Sequence, residues 1–505
     1  MEDHTSSEPS RPAAMAKSLG AFDGVVIAAS NTAATTTIGI GIGLLAAYVG
    51  RQTPALLIVA FLPILGIAGA YARLNRSEPN CGNGYVWVGR TLGPWLGLLA
   101  GWIPLASSVI FLAYTTSVTG SAVSQLALKA GVDSFFGWDI DPGSTARSTL
   151  IGLFILVVVT WTAVIGAAKA ARFQAYLLIF EYAVLLLFCG WGLIAGDQGF
   201  SLSWLNPFAV DSPSGLAQGL VLAVFCYWGW DSAFSVTEET RRPEDAARGG
   251  FIALWTVLGL FLLGSIAFQR VMSTDEMAAN GAQGLAHFAV KLASEPLATL
   301  PLIALLFSVV ASLQAGVIPT ARIALAMSRD RTLGPVWSKV NARYGTPAAG
   351  TILIAVIAAG IALLSLSIPK LSEAILAAVS AIGLLVALYY GLAAVTCAWR
   401  FRGLLRAGTL QATRAVILPA ACGLALFALG GYLAVHYATL SDGFAVSASN
   451  GWFSLACPAV VLLTGLMVGM IAKWRRRSPY FIRPGTAAAE PLVEPLAAPA
   501  PATDP

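Results

Sequence analysis

Long apolar runs separated by short polar stretches dominate this chain, and most runs have the length that a lipid bilayer demands. A bilayer core about 30 Å thick takes roughly 20 apolar residues in helical conformation. Runs of this kind lie at 22–48, 54–73, 94–124, 149–168, 173–195, 216–239, 252–272, 298–327, 351–366, 371–399, 414–435 and 452–472. The pattern predicts an all-α, polytopic membrane protein of 12 spans.

Composition agrees with the pattern: 57% of the 505 residues are hydrophobic and 11% charged, with a mean hydropathy of +0.76. Soluble domains carry far more charge than this. The formal net charge of +5 raises the possibility of an anionic partner until the positions of the charges are considered. Arg73, Arg76 and Arg90, then Lys169 and Arg172, then Arg241, Arg242 and Arg248 fall on alternate connections. Arg329, Arg331, Lys339 and Arg343, then Arg400, Arg402 and Arg406, then Lys473 to Arg477 continue the series. Basic residues concentrate on the cytoplasmic side of membrane proteins. The expected orientation therefore places both termini in the cytoplasm, with the chain in the inner cell membrane. The basic clusters read as topology and lipid head-group contacts rather than as a nucleic-acid surface.

The first apolar run, beginning near Phe22, is too long for a removable signal peptide and is expected to remain as a span. Residues 1–20 and 478–505 are expected to be unstructured, the latter from its Pro- and Ala-rich composition. The six cysteines have no paired spacing, and His4, His287 and His436 stand apart from one another, so no resident metal or cofactor and no enzymatic centre is expected. A sensor or channel lacks support too, since neither a signalling domain nor a repeated filter sequence occurs.

Polar groups inside apolar helices are costly and therefore informative. In the first span, Ser30, Asn31, Thr32, Ala33, Ala34, Thr35 and Thr36 place an amide and hydroxyls near the expected midplane. Such hydroxyls either pack helices together or line an opened turn. In the sixth span, Phe225, Cys226, Tyr227, Trp228, Gly229, Trp230 and Asp231 set a glycine and a carboxylate among aromatics. This is either an aromatic packing cluster or a break that exposes backbone. Two broken helices five spans apart fit transporters built of inverted repeats, whose substrate lies between the breaks. Freed N–H and C=O groups there suit the carboxylate and ammonium of a zwitterion without any charged side chain.

These residues resemble the amino acid-polyamine-organocation superfamily of permeases. The resemblance is carried by the Tyr71–Trp102 stretch, by FCYWGWDSAFSVTEETRRP from Phe225 to Pro243 with its Glu238–Glu239 pair, and by the ARIALAMSRDRTLGP run from Ala321. It implies two inverted five-helix repeats, 21–200 and 201–400, with two peripheral helices at 401–477, working by alternating access. Two departures stand out. Where relatives carry a Gly-x-Gly break, this chain has Ala34, Thr35 and Thr36. Where many relatives carry a lysine seven residues after an Arg-x-Gln triplet, Arg172, Phe173 and Gln174 are followed by Glu181.

A carboxylate in an apolar helix is a candidate to take up and release a proton, so Glu181 points to proton symport, with a purely structural, satisfied glutamate as the alternative. Sodium is the weaker possibility, with Ser308 and Ser312 as oxygen ligands. Asp23 is expected to serve its own helix N-terminus. Asp231 is grouped with Glu238, Glu239 and Arg322 as an inner gate. The expected substrate is an amino acid with a hydrophobic side chain, accommodated by Phe225, Tyr227 and Trp230. A polyamine or other organic amine, carried or exchanged, is the alternative.

Overall fold

A computed structural model describes residues 17–482 save 136, 281–282, 342, 369–370, 407 and 440–450. The expected tails at 1–16 and 483–505 lie outside the described residues.

The chain opens with α1 (Ala21–Thr32), passes through a short helical turn (Ala34–Thr36) and a π-helical stretch (Thr37–Gly41), and continues as α2 (Ile42–Val49). Gly50, at φ +57°, reverses it into α3 (Thr53–Ser77). A short helix α4 (Gly84–Leu92) then precedes α5 (Pro94–Lys129), and a two-residue-per-strand hairpin, β1 (Ser134–Phe135) with β2 (Trp138–Asp139), leads to α6 (Thr145–Ile165) and α7 (Ala167–Ala195). The second half contains α8 (Pro213–Cys226), a one-turn α9 (Ser232–Ser235) and α10 (Pro243–Val271). Two connecting helices, α11 (Thr274–Asn280) and α12 (Gly284–Leu292), lead to α13 (Leu300–Arg329), α14 (Ala348–Leu364), α15 (Leu371–Arg400), α16 (Leu418–Thr439) and α17 (Gly451–Met470).

Among the described residues, ten helical stretches are long and apolar enough to cross a membrane, counting Ala21–Ser77 as one, and Pro213–Cys226 is a shorter apolar helix. Every span read from the sequence falls on one of these elements. The sixth span, read to 239, is helical in α8 only as far as Cys226, and the largest difference at a helix start is at α10, which begins at Pro243 rather than at 252. Proline at the first turn, with Glu244 and Asp245 beside it, suits a helix N-terminus, so the helix extends past the apolar run that hydropathy detects. The short helices α4, α11 and α12 carry no span-length run and were not expected.

Burial ranks the spans. In α13, 78% of the apolar window is buried, against 22% in the last span, so α13 is central and α17 peripheral. Lipid takes the place of protein around the rim, where Ile194, Leu364 and Leu463 are exposed. Helices approach most closely where side chains are smallest: a Cβ at Gly120 would lie 1.7 Å from the Ser148 carbonyl oxygen, and one at Gly152 1.9 Å from that of Thr116. Reciprocal glycines therefore let α5 and α6 touch backbone to backbone.

The described parts of the two stretches expected to be unstructured, 17–20 and 478–482, are bonded to the body of the protein. The N–H groups of Ser18 and Leu19 both donate to the Glu239 carbonyl at 3.0 Å, and Arg241 N–H donates to Leu19 O at 2.9 Å. Past α17, Tyr480 is buried and stacks on Tyr85 with ring centroids 4.2 Å apart. Both corrections have one cause: long-range partners supply the order that local composition lacks.

Candidate functional site

The first break is at Ala33, whose φ of 51° and ψ of 58° are left-handed. A non-glycine residue there costs about 1–2 kcal/mol. Neighbouring hydroxyls occupy carbonyls around the break: Thr32 Oγ1 donates to Ala28 O at 2.8 Å and Thr37 Oγ1 to Thr32 O at 3.2 Å. The break thus precedes the Ala34–Thr36 position expected from the sequence. The N–H groups of the run that starts at Ala34 lack ordinary helical acceptors, and Thr36 N–H donates to Ser308 Oγ at 3.4 Å.

The second break runs from Tyr227 to Asp231, between α8 and α9, with Gly229 at φ +116°. The two breaks touch. Asn31 Nδ2 donates to Gly229 O at 3.3 Å, and a Cβ on Gly229 would lie 2.8 Å from both Asn31 C and O. Only glycine provides both that φ and that clearance.

Beside this contact lies a cavity of about 30 Å³, room for one or two waters. Asn31, Thr32, Ala33, Thr36 and Thr37 supply its polar side, Phe225 and Trp228 line it from the second break, and Ser312 from α13. The remaining wall is α5: Phe111, Tyr114, Thr115 and Val118. Phe111 meets Tyr114 and Trp228 edge-on at 5.3 and 5.5 Å. Among the described residues, no charged side chain lines the cavity. A polar floor of backbone and hydroxyls under apolar walls is the usual construction of a small-molecule site.

The cavity thus brings together Asn31, Thr32, Ala33, Thr36, Phe225 and Trp228 from the expected set. It leaves out Ser30, Ala34 and Thr35, which are buried elsewhere, and Cys226, which packs near Gly41. Tyr227 and Trp230, expected against a substrate side chain, both turn away. Tyr227 donates its hydroxyl to Leu57 O at 3.0 Å and packs on Phe61 and Phe261. Trp230 lies against Tyr71 and Tyr390. Helical periodicity stops at a break, so it no longer says which way each aromatic points. The α5 wall was missed, although Phe111, Tyr114, Thr115 and Val118 have the i, i+3, i+4, i+7 spacing of one helical face.

Asp231 does not join Glu238, Glu239 and Arg322, with which it was grouped. Its Oδ2 accepts from Tyr389 at 3.1 Å and its Oδ1 from Tyr390 at 3.0 Å, while Trp228 Nε1 donates to Tyr389 at 2.6 Å. A cavity-lining indole is thereby linked through one tyrosine to the carboxylate. The ion pairs formed by these residues are Arg322 with Glu239, at 2.7 Å and buried, and Arg329 with Glu238 at 2.8 Å. Arg329 was not anticipated as a partner of Glu238. Asp23 serves its own helix start, accepting from Gly20 N–H at 2.8 Å.

Glu181, on α7, is fully buried, and neither carboxylate oxygen has a hydrogen bond of good geometry with a described residue. The hydroxyls of Ser308 and Thr35 are its polar neighbours. Ser308 therefore stands between Glu181 and the backbone at Thr36, whereas Ser312, one turn further along α13, lines the cavity.

Residues 24–437 match the model of a family described as amino acid permease. The chain belongs to that family. Among its relatives, a vacuolar cationic amino acid transporter of Arabidopsis thaliana is 29% identical over 394 residues, 72% of this chain and 60% of the relative. A methylthioribose transporter of Bacillus subtilis is 26% identical over 377 residues, 71% of this chain and 77% of the relative. A branched-chain amino acid permease of Lactococcus lactis is 24% identical over 313 residues, 58% of this chain and 64% of the relative. The match thus spans less than two thirds of the Arabidopsis and Lactococcus permeases. As a member of the amino acid permease family, the chain is a multi-pass membrane protein with permeases, not enzymes, for relatives.

Proposed function

We propose that this permease is a secondary transporter that carries an amino acid with a neutral, apolar side chain by alternating access, coupled to protons. The observation that carries the proposal is the contact between the two helix breaks, Gly229 against Asn31 and Thr32, beside a cavity without charged side chains. Helix-initiating N–H groups after Ala33 suit a carboxylate, and carbonyls at the end of α1 suit an ammonium. The aromatic wall suits an apolar side chain, and a cationic one would lack a counter-charge in the cavity. At about 30 Å³ the cavity is closed around no more than water, so loading requires the α1 and α9 segments to move. The repeats at 21–200 and 201–400 are related by inversion in this reading, and both termini face the cytoplasm of the cell whose inner membrane holds the chain.

Glu181 is the proposed proton carrier. Its hydroxyl neighbours on the first break and on α13 couple its protonation to the geometry of the site. Sodium at Ser308 and Ser312 is the weaker choice, because the Ser308 Oγ lone pairs already serve the Thr36 N–H, which donates to it at 3.4 Å. A second substrate reading, an organic amine, is favoured by Asp231 behind Trp228 and by a relative described as a low-affinity putrescine importer of Escherichia coli.

Counterflow in proteoliposomes tests both levels. Leucine is expected to exchange saturably and to outcompete arginine and putrescine; putrescine winning would select the amine reading, and no counterflow with any of them would end the carrier reading. Proton-driven uptake is expected to disappear in Glu181→Gln while exchange persists. Unchanged proton-driven uptake in that variant would remove Glu181 from the coupling.

A further inference from the structure

At the end of α3, Arg73 and Arg76 stand three residues apart and so share one helical face. Neither makes a hydrogen bond or an ion pair with a described residue. The carboxylate nearest in sequence is already taken: Glu78 pairs with both Arg90 and Arg400. Arg402, Arg406 and Arg414 on the following connection add further positive charge. The two α3 arginines therefore border a region with an unanswered positive field.

They also border a space. A slot of about 430 Å³ is lined by Gly69, Ala72, Arg73, Arg76, Ser77 and Phe401. Its floor is small by composition, and a Cβ at Gly69 would meet nothing within 4 Å. The Arg73 guanidinium lies over the Phe401 ring at 5.6 Å, which holds its plane while leaving N–H edges free for an acceptor. Below the slot the surface is apolar. There α16 closes on α3 at Gly66, and Leu62, Ile417 and Leu418 are exposed.

We propose that this slot binds the phosphate head-group of an anionic phospholipid, with an acyl chain lying along the α3–α16 surface beneath it. Two unpaired guanidiniums match a phosphate diester in charge and hydrogen-bonding capacity. A soluble anion would leave the adjoining apolar surface unused, whereas a lipid covers it. Basic pockets between the ends of membrane-spanning helices take anionic head-groups. The site is remote from Glu181 in sequence and independent of the transported solute.

Native mass spectrometry of the full chain in mild detergent, titrated with phosphatidylglycerol or phosphatidylcholine, provides the test. Wild type is expected to retain phosphatidylglycerol preferentially. Arg73→Ala/Arg76→Ala is expected to lower that affinity roughly thirtyfold, each cation near a membrane surface contributing about fivefold. Gly69→Phe, which fills the slot without altering charge, is expected to lower it as well, and provides a second route if the double variant does not fold. Arg475→Ala, exposed on the last helical turns, is the control expected to bind as wild type. Equal phosphatidylglycerol retention in wild type and slot variants would overturn the proposal. So would displacement of the lipid by inorganic phosphate at equimolar concentration, which would identify a soluble-anion site.

Discussion

Replacing Gly229 with alanine tests the contact on which the site is built. The new methyl group would sit 2.8 Å from Asn31 C and O and 2.9 Å from Thr32 N, all backbone atoms that no rotamer change can move. Backbone at φ +116° adds about 1–2 kcal/mol for an L side chain, and overpacking of this kind adds about 1–3 kcal/mol. The two together come to about 2–5 kcal/mol of destabilisation of the closed arrangement. Relief requires the breaks to separate, which also removes the Asn31–Gly229 hydrogen bond. Gly259→Ala is the matched control, because a Cβ there meets nothing within 4 Å in the middle of α10. Thermal unfolding in detergent should show Gly229→Ala well below wild type and Gly259→Ala at or above it. Uptake in proteoliposomes should fail only in the former. A Gly229→Ala protein that melts and transports like wild type would refute the close approach of the two breaks, and with it the location of the site.

Arg322→Met leaves Glu239 buried without its cation and is expected to cost about 3–5 kcal/mol, whereas Arg322→Met/Glu239→Leu should recover most of that in the same melting assay; no recovery would mean that the pair is not what the loss measures. Tyr389→Phe removes the acceptor of the Trp228 indole and one of two donors to Asp231. It should raise the KM for uptake by roughly 1–3 kcal/mol of lost binding, and an unchanged KM would separate this network from the site. On the connection between α10 and α13, Lys291 and the Ser273 N–H hold the Glu276 carboxyl down at about 2. Its folded value lies below the ordinary glutamate value of about 4.3, so its contribution is complete above that pH and fades as pH falls toward 2. Lys291→Ala should move the Glu276 midpoint upward in a carboxyl carbon NMR titration, and an unmoved midpoint would contradict the pairing.

Much of the architecture was legible because a membrane removes alternatives. Backbone groups in lipid must be satisfied within each helix, so apolar run length alone located the spans. The second break was legible too, since Gly229 and Asp231 interrupt an otherwise apolar run for which lipid packing offers no reason. Side-chain direction was not legible there. Once the helix opens between Cys226 and Ser232, residue spacing no longer defines a face, and Trp228 lines the cavity while Tyr227 and Trp230 do not. Partners distant along the chain were beyond local reading as well: Asp231 is held by tyrosines 158 and 159 residues away, and Glu239 rather than Asp231 meets Arg322. The slot beside Arg73 depends on where Phe401 and α16 pack. By itself, then, the sequence determined which stretches are apolar and long enough to lie in a bilayer and where one of them is weakened, because solvation and backbone propensity act locally. Only the tertiary structure decided which side chains converge, since convergence depends on helices packing across more than a hundred residues of chain.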